Sequence, residues 1–233
     1  MRSSTWHALG NSYVVVERDA LGALVAARAR ELSRSADGVL EVVAAGPAEV
    51  EIVIWNPDGS QAELSGNGTR IAAAWLAERT GADEVVVRVG ARSVVARILP
   101  DGRIRQDLGE VEVGAEEEVE GIRFVPVSVG NPHAVVAGDP TEVTRVGPLL
   151  ETHPRFPERT NVEVVRVERP GEVTARVWER GVGETSASGT GAVAAAAATH
   201  EGGSVRVRFP GGELEVELAR GRALLTGPVE RVS

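Results

Sequence analysis

The chain contains no cysteine and no lysine, so all 25 of its basic residues are arginine. The missing cysteines exclude disulfides, thiolate metal ligands and thiol nucleophiles. The missing lysines exclude Schiff-base chemistry and the lysine of a phosphate-binding loop. A GC-rich coding bias towards arginine and alanine explains this composition more simply than heat adaptation.

Long hydrophobic runs are also missing, as no apolar stretch approaches the roughly 20 residues of a membrane span. Residues 1–10 lack the basic-then-apolar order of a secretion signal. The net charge of −9 argues against nucleic acid and anionic membranes as partners, because both require a basic surface. With 233 residues and 42% hydrophobic content, we expect a globular, cytoplasmic protein with one or two cores.

Short valine-rich segments bounded by Gly, Pro, Asp or Asn predict most of the secondary structure as strands. The predicted strands are 13–17, 50–55, 84–89, 93–98, 123–129, 163–168, 173–178, 205–209 and 213–218. Helical spacing of apolar residues predicts a helix over 20–34, and alanine-rich sequence predicts helices over 69–79 and 192–200. The pattern indicates an α+β protein with more strand than helix.

A sequence repeat divides the chain. Residues 65–74 and 188–197 agree at six of ten positions, and the same offset of 123 relates Trp55 to Trp178. An offset of 120 relates Asn11 to Asn131, each preceded by glycine. Three matches in one order favour an internal duplication. We therefore predict an N-terminal lobe of residues 1–118, completed by 222–233, and a C-terminal lobe of 119–221. The acidic stretch 116–120 is expected to be solvated surface or linker.

The repeated segment begins a predicted helix in each half, at Ser65 and at Ser188. Serine is a favourable N-cap, and the glycines that follow let other groups approach the first helical amides. Those N–H groups have no acceptor within the helix, so carboxylates and phosphates bind there. Ordinary caps beside packing glycines are the alternative. The Gly-rich polar turns before both copies favour a binding site.

Further polar residues follow predicted strands, and His133 comes after Gly130-Asn-Pro, a sequence that fixes a turn. A packed or surface histidine is the alternative at this position. The four histidines lack metal-ligand spacing, so no metal is expected. The Gly-rich stretches lack the lysine or the strand–helix–strand context of nucleotide-binding loops.

Six motifs, in order along nearly the whole chain, resemble signatures of the diaminopimelate epimerase family. They are Leu9-Gly-Asn11, Asn56-Pro-Asp-Gly-Ser-Gln-Ala-Glu63, Gly66-Asn-Gly68, Gly130-Asn-Pro-His133, Arg159-Thr-Asn-Val162 and Glu179-Arg-Gly-Val-Gly-Glu-Thr185. The segment 225–230 is similar to the family's closing strand. The resemblance implies an α+β fold of two pseudo-symmetric lobes. Each lobe is a curved, mostly antiparallel sheet around a central helix, with the active site in the interlobe cleft.

The family interconverts LL- and meso-diaminopimelate, a precursor of lysine and peptidoglycan, without a cofactor. One thiolate removes the α-proton from one face while a thiol delivers a proton to the other. By match of motif, His133 and Glu179 tune or orient this acid–base pair. The residues implied to bind substrate are Asn11, Asn56, Gly66, Asn67, Asn131, Asn161, Glu179, Arg180, Gly189 and Thr190. The resemblance also suggests a homodimer.

Ser65 and Ser188 stand where the resemblance places the two catalytic cysteines. A thiol has a pKa of about 8.5, lowered to about 3.5–7.5 at a helix N-terminus. A serine hydroxyl is a far weaker acid and needs an adjacent base. We therefore expect weak or absent turnover.

Three interpretations of the two serines stay open at this point. One is a cysteine-to-serine form of an epimerase that binds without turnover. Another is a natural relative that acts as a one-base isomerase or dehydratase on a different amino acid. The last is a non-catalytic amino-acid-binding protein. Retention of the binding residues favours the family's substrate or a close analogue.

Overall fold

The computed structural model describes residues 3–62 and 64–233, except for the side chain of Leu21. The chain forms two compact units, Met1–Asp107 with Thr226–Ser233, and Leu108–Leu225. It passes from one unit to the other within two strands, β8 (Ile104–Glu110) and β18 (Arg222–Gly227). From the sequence we also placed the C-terminal residues with the N-terminal lobe. The exact limits, 1–118 with 222–233 and 119–221, stay a prediction.

The first unit is built of strands with one long helix. Its strands are β1 (Ser3–Ala8), β2 (Asn11–Glu17), β3 (Gly38–Ala45), β4 (Glu49–Trp55), β5 (Gln61–Ala62), β6 (Glu84–Val89), β7 (Arg92–Ile98) and β19 (Glu230–Arg231). Its helices are α1 (Arg18–Leu21), α2 (Ala26–Leu32) and α3 (Gly66–Thr80), with a 3₁₀ turn at Ser33–Ser35. The strand β19, near the C-terminus, pairs with β1, so the last strand lies in the same unit as the first.

The second unit has the same kind of composition. Its strands are β9 (Glu112–Val113), β10 (Glu117–Val119), β11 (Ile122–Ser128), β12 (Pro132–Ala137), β13 (Asn161–Arg169), β14 (Glu172–Glu179), β15 (Gly183–Thr185), β16 (Gly203–Phe209) and β17 (Gly212–Ala219). Its helices are α4 (Val143–Glu151) and α5 (Gly189–Thr199), with a 3₁₀ turn at Pro140–Glu142.

Strand pairing repeats from one unit to the other. In the first unit β2 runs parallel to β3, β3 antiparallel to β4, and β4 parallel to β6, which pairs antiparallel with β7. The second unit repeats this arrangement: β12 runs parallel to β13, β13 antiparallel to β14, and β14 parallel to β16, which pairs antiparallel with β17. The register repeats too, as Val39 faces Trp55 and Val162 faces Trp178. The duplication inferred from sequence is therefore present in the fold.

Each unit encloses one helix whose first two turns are buried on all sides. In α3 residues 66–73 are buried, and in α5 residues 189–196 are buried. Alanine and glycine suit this position because small side chains let the surrounding strands approach closely. A helix that is buried all round is typical of a central core element, and α3 also encloses the polar Asn67, Thr69 and Arg70. The expected α+β fold of two like units, each a sheet around a central helix, is confirmed.

The predicted strands all occur in the structure, with ends that differ by a few residues. The prediction of a continuous helix over 20–34 was wrong. The helix α1 ends at Leu21, the next residue Gly22 has a φ of +74° outside the helical region, and α2 begins only at Ala26. Within the acidic stretch 116–120, residues 117–119 form the strand β10, and all five residues are exposed or half-buried, in accordance with their expected place on the surface.

Candidate active site

Ser65 caps α3 in the first unit. Its backbone is extended, with φ −138° and ψ 119°, and its Oγ accepts a hydrogen bond from the backbone N–H of Gly68 at 3.0 Å. Thr69 returns a hydrogen bond from Oγ1 to the carbonyl of Ser65 at 2.9 Å. The cap fixes the first turn, whose remaining N–H groups lack acceptors within the helix and so suit an anion.

Ser188 caps α5 in the second unit with nearly the same geometry. Its φ is −132° and its ψ is 132°, and its Oγ accepts from the backbone N–H of Gly191 at 3.2 Å. Ser188 is buried, whereas Ser65 is half-buried. The repeated sequence thus folds into two copies of one helix start.

Tyr13 and Arg70 accompany Ser65 in the first unit. The hydroxyl of Tyr13 lies 3.2 Å from Ser65 Oγ. Arg70 is fully buried and donates from Nη2 to Asn67 Oδ1, while none of the described residues accepts from its Nε or Nη1. Burial lowers the pKa of Arg70 to about 10, and its interaction with Tyr13 opposes this. We call Tyr13, Ser65, Asn67 and Arg70 the first cluster.

His133 anchors a buried network in the second unit. Its Nδ1 lies 2.8 Å from Glu163 Oε1 and its Nε2 lies 3.1 Å from Asn131 Oδ1. Asn131 in turn donates from Nδ2 to Thr190 Oγ1 at 3.3 Å, which orients its amide. Both ring nitrogens therefore face oxygen atoms.

Glu179 ends β14 beside this network, and its Oε1 accepts from Thr185 Oγ1 at 2.5 Å. Burial raises the pKa of Glu179, and the Glu163 carboxylate adds to the rise. Hydrogen bonds from Thr185 and Ser188 and the charge of His133 act in the opposite direction. A carboxyl group whose pKa is raised thus lies against the Ser188 hydroxyl. We call Asn131, His133, Glu163, Glu179 and Ser188 the second cluster.

Asn161 and Arg180, both predicted binding residues, meet at the edge of the second cluster. Asn161 donates from Nδ2 to the carbonyl of Pro132 at 3.0 Å and accepts at Oδ1 from the backbone N–H of Arg180 at 2.9 Å. The Arg180 guanidinium donates from Nη1 to the carbonyl of Glu158 at 3.2 Å. Asn161 therefore joins β12 and β13 to the turn after β14, which gives it a structural role.

The remaining predicted residues lie in the first turns of the two helices, at the start of β2, or in the turn after β4. Gly66 and Asn67 occupy the first turn of α3, and Gly189 and Thr190 that of α5; all four are buried. Asn11 is buried at the start of β2, opposite Ala8. Asn56 hydrogen-bonds within its own turn, donating from Nδ2 to Ser60 Oγ at 2.9 Å. Glu63, which ends the same motif, lies outside the described residues.

Residues 4–114 and 125–232 match the family model described as diaminopimelate epimerase. A diaminopimelate epimerase of Pelotomaculum thermopropionicum is 37% identical over 97% of this chain and 95% of its own length. One from Desulforudis audaxviator is 37% identical over 100% of this chain and 97% of its own. The chain belongs to the diaminopimelate epimerase family. The resemblance seen in its motifs is confirmed, and so is its assignment to a family of isomerases.

Solved structures place this diaminopimelate epimerase family member in a wider fold group. A protein described as a predicted epimerase from Pseudomonas aeruginosa superposes with a TM-score of 0.79 at 20% identity, covering 99% of this chain and 96% of its own. A hydroxyproline epimerase from Agrobacterium vitis superposes with a TM-score of 0.69 at 18% identity, covering 99% of this chain and 90% of its own. At these identities the likeness shows a shared fold.

Three members of the two clusters were not predicted from the sequence of this family member: Tyr13, Arg70 and Glu163. The duplication contained the signal for Tyr13. Tyr13 lies two residues after Asn11, as His133 lies two residues after Asn131. Tyr13 faces the first residue of β3, and His133 faces the first residue of β13. Tyr13 is therefore the counterpart of His133.

Among the described residues, every helix is too short or too polar to cross a bilayer. The same part of the chain contains no group of three or more His, Asp and Glu side chains arranged to hold a metal ion.

Proposed function

We propose that this chain binds diaminopimelate, or a close amino-acid analogue, and exchanges the proton on its α-carbon slowly and without a cofactor. The observation that carries the proposal is the repeated Ser-Gly-X-Gly helix start, capped in the same way at Ser65 and Ser188. Family membership supports the substrate class, since the relatives named above are diaminopimelate epimerases.

Binding follows from the electrostatics of the helix starts. The first turns of α3 and α5 offer backbone N–H groups at the positive end of a helix dipole, where a substrate carboxylate binds well. The half-buried carboxyl of Glu179 is a candidate acceptor for a substrate ammonium. The proposal requires both clusters to contact one α-carbon, which stays a prediction from the sequence, as does a homodimer.

Slow turnover follows from the two hydroxyls. A helix N-terminus stabilises an adjacent anion by about 0.3–1 kcal/mol at exposed sites, and about 1.36 kcal/mol corresponds to one unit of pKa. The dipole alone therefore cannot make a serine as acidic as a thiol. Each serine needs a neighbouring group that accepts its proton.

The two serines differ in that neighbour. Ser188 hydrogen-bonds Glu179, a carboxyl group suited to accept a proton. Around Ser65 the described contacts are the Tyr13 hydroxyl and the N–H of Gly68, and neither a carboxylate nor an imidazole is among them. This asymmetry also favours a second candidate function, a one-base isomerase or dehydratase that works from the Ser188 side.

Calorimetry with LL- and meso-diaminopimelate tests binding, and incorporation of deuterium from heavy water into the α-position tests proton exchange. We expect saturable binding of both isomers and exchange far slower than a thiol would support. Absence of binding would refute the substrate assignment, and rapid exchange would refute the argument about serine. Exchange in one isomer without conversion to the other would support the one-base alternative.

A further inference from the structure

Tyr13 occupies in the first unit the position that His133 occupies in the second. Both follow the Gly-Asn pair by two residues and both lie on a strand that runs parallel to its neighbour. His133 has an ionisable side chain in the second cluster. The duplication therefore points to Tyr13 as the ionisable group of the first cluster.

The contacts of Tyr13 suit proton transfer. Its hydroxyl lies 3.2 Å from Ser65 Oγ, and either oxygen can be the donor. A tyrosine has an ordinary pKa of about 10, close to the value of about 8.5 for a free thiol. The phenol is thus the group beside Ser65 whose acidity comes nearest to that of a cysteine.

Arg70 supplies a charge that suits a phenolate. Its guanidinium is fully buried, and among the described residues its side chain meets an amide oxygen of Asn67 and no carboxylate. Its Nε and Nη1 have no acceptor there. A buried cation without a counter-ion is costly, so the structure gains when an anion forms nearby. The ionisable group that interacts with Arg70 is Tyr13.

Two described carboxylates at or next to β3, which pairs with β2, have partners of their own. Asp37, next to the strand that pairs with β2, accepts hydrogen bonds from Ser12, whose side chain points to the opposite face of β2. Glu41 on β3 accepts from Arg18 Nε, from the backbone N–H of Leu24 and from the indole N–H of Trp55. Among the described residues, Arg70 is the buried cation that interacts with Tyr13.

We infer that Tyr13 is the proton acceptor for Ser65, with Arg70 stabilising its phenolate. The inference rests on the proposed function and names a base for Ser65 among the described residues of the first cluster. In the step, the Cα–H bond of the substrate breaks and its proton forms a bond to Ser65 Oγ. The hydroxyl proton of Ser65 passes at the same time to the phenolate oxygen of Tyr13. The electron pair of the Cα–H bond stays on the substrate as a carbanion delocalised into its carboxylate.

The chain offers a direct spectroscopic test, because Tyr13 is its single tyrosine. The ultraviolet absorbance of tyrosinate, followed against pH, therefore reports this side chain alone. We expect a midpoint below the ordinary value of about 10, and Arg70→Met should raise it by about 1–3 pH units. Arg70→Lys should keep it low. A wild-type midpoint at or above the ordinary value would overturn the inference, even where Arg70→Met does not fold.

Stereoinversion gives a second test in two backgrounds. In Ser188→Cys the second cluster has a thiol, so conversion of LL- to meso-diaminopimelate depends on Ser65 and Tyr13. Tyr13→Phe should slow that conversion by about 10²–10⁴-fold. In the Ser65→Cys, Ser188→Cys background the thiol at position 65 needs no phenolate. Tyr13→Phe should therefore slow the conversion by less than about tenfold.

These outcomes separate the inference from the proposed function. Equal losses in both backgrounds, or no conversion by a Ser188→Cys chain that binds diaminopimelate, would show that Tyr13 serves packing alone. Failure of every variant to bind diaminopimelate would refute the substrate, while the tyrosinate titration would still decide whether Tyr13 and Arg70 form an acid–base pair.

Discussion

Ser65 and Ser188 show how one backbone geometry can serve two chemistries. Their φ angles differ by only a few degrees, and each Oγ accepts from the third residue of its helix. Their hydroxyls nevertheless face a phenol in the first cluster and a carboxyl group in the second. The helix start determines where a serine lies, and the side chain beside it determines what the serine can do.

Glu179 gives a prediction at this scale. It accepts a proton from Ser188 only when ionised, and burial raises its pKa above 4.5. Deuterium exchange should therefore increase as pH rises through that raised value. Glu179→Gln should lower exchange by about 10²–10⁴-fold and remove this pH dependence. Glu184→Gln, on the same turn, is the matched control and should change neither.

Stability distinguishes this role of Glu179 from a structural one. Because the folded state holds its pKa above the unfolded value, the carboxyl stabilises the fold fully at pH below that unfolded value. This contribution is lost as pH rises through the folded pKa. Glu179→Gln should therefore leave the melting temperature at neutral pH unchanged or higher. A large loss of stability there would contradict the assignment.

At the scale of elements, the two helix starts differ in how tightly they are enclosed. A Cβ added at Gly191 would lie 2.7 Å from Glu163 Oε1 and 3.0 Å from Ser188 Cβ. At Gly68, the matching position, the nearest atom would be Leu40 Cδ2 at 3.2 Å, the end of a flexible side chain. Glycine is thus required at one helix start more strictly than at the other.

The matched substitutions Gly191→Ala and Gly68→Ala test this difference. We expect Gly191→Ala to destabilise the fold by about 1–3 kcal/mol, because it displaces the carboxylate bound to His133. Gly68→Ala should change the free energy of unfolding by no more than about 1 kcal/mol, since alanine is a better helix former than glycine. Urea unfolding of the two variants gives the comparison. Equal losses would mean that the carboxylate of Glu163 is not fixed against α5.

Sequence alone predicted strands with alternating burial better than strands that are buried on both faces. Strands with alternating burial, such as β6 and β7, were predicted nearly to the residue. The strands β3 and β12 were not predicted, because they are buried on both faces over most of their length and lose the alternation that marks a strand. The helix over 20–34 was wrong because a left-handed glycine interrupts an otherwise helical pattern.

In the candidate site, residues within sequence motifs were predicted better than residues outside them. Both capping serines and most polar neighbours could be predicted, since they lie within motifs. Arg70 and Glu163 could not, because their roles depend on which strand lies beside which helix. Tyr13 was missed although the duplication aligns it with His133. His133 was predicted to tune or orient the acid–base pair, and this stays a prediction; in the structure its ring nitrogens meet Glu163 and Asn131.

At the scale of the whole molecule, two units with one topology hold different acid–base groups. The first combines a phenol with a buried arginine, and the second an imidazole with two carboxyl groups. The strand pairing is kept while the chemistry has diverged. We propose that this chain keeps the residues that bind the family's substrate and that serine limits its turnover.

One measurement tests that claim most directly, the conversion of LL- to meso-diaminopimelate by the Ser65→Cys, Ser188→Cys variant. Under the proposed function, we expect epimerase activity that exceeds that of the serine form by orders of magnitude, because each helix start then carries a thiol. A folded double variant that binds diaminopimelate without interconverting its isomers would contradict the account.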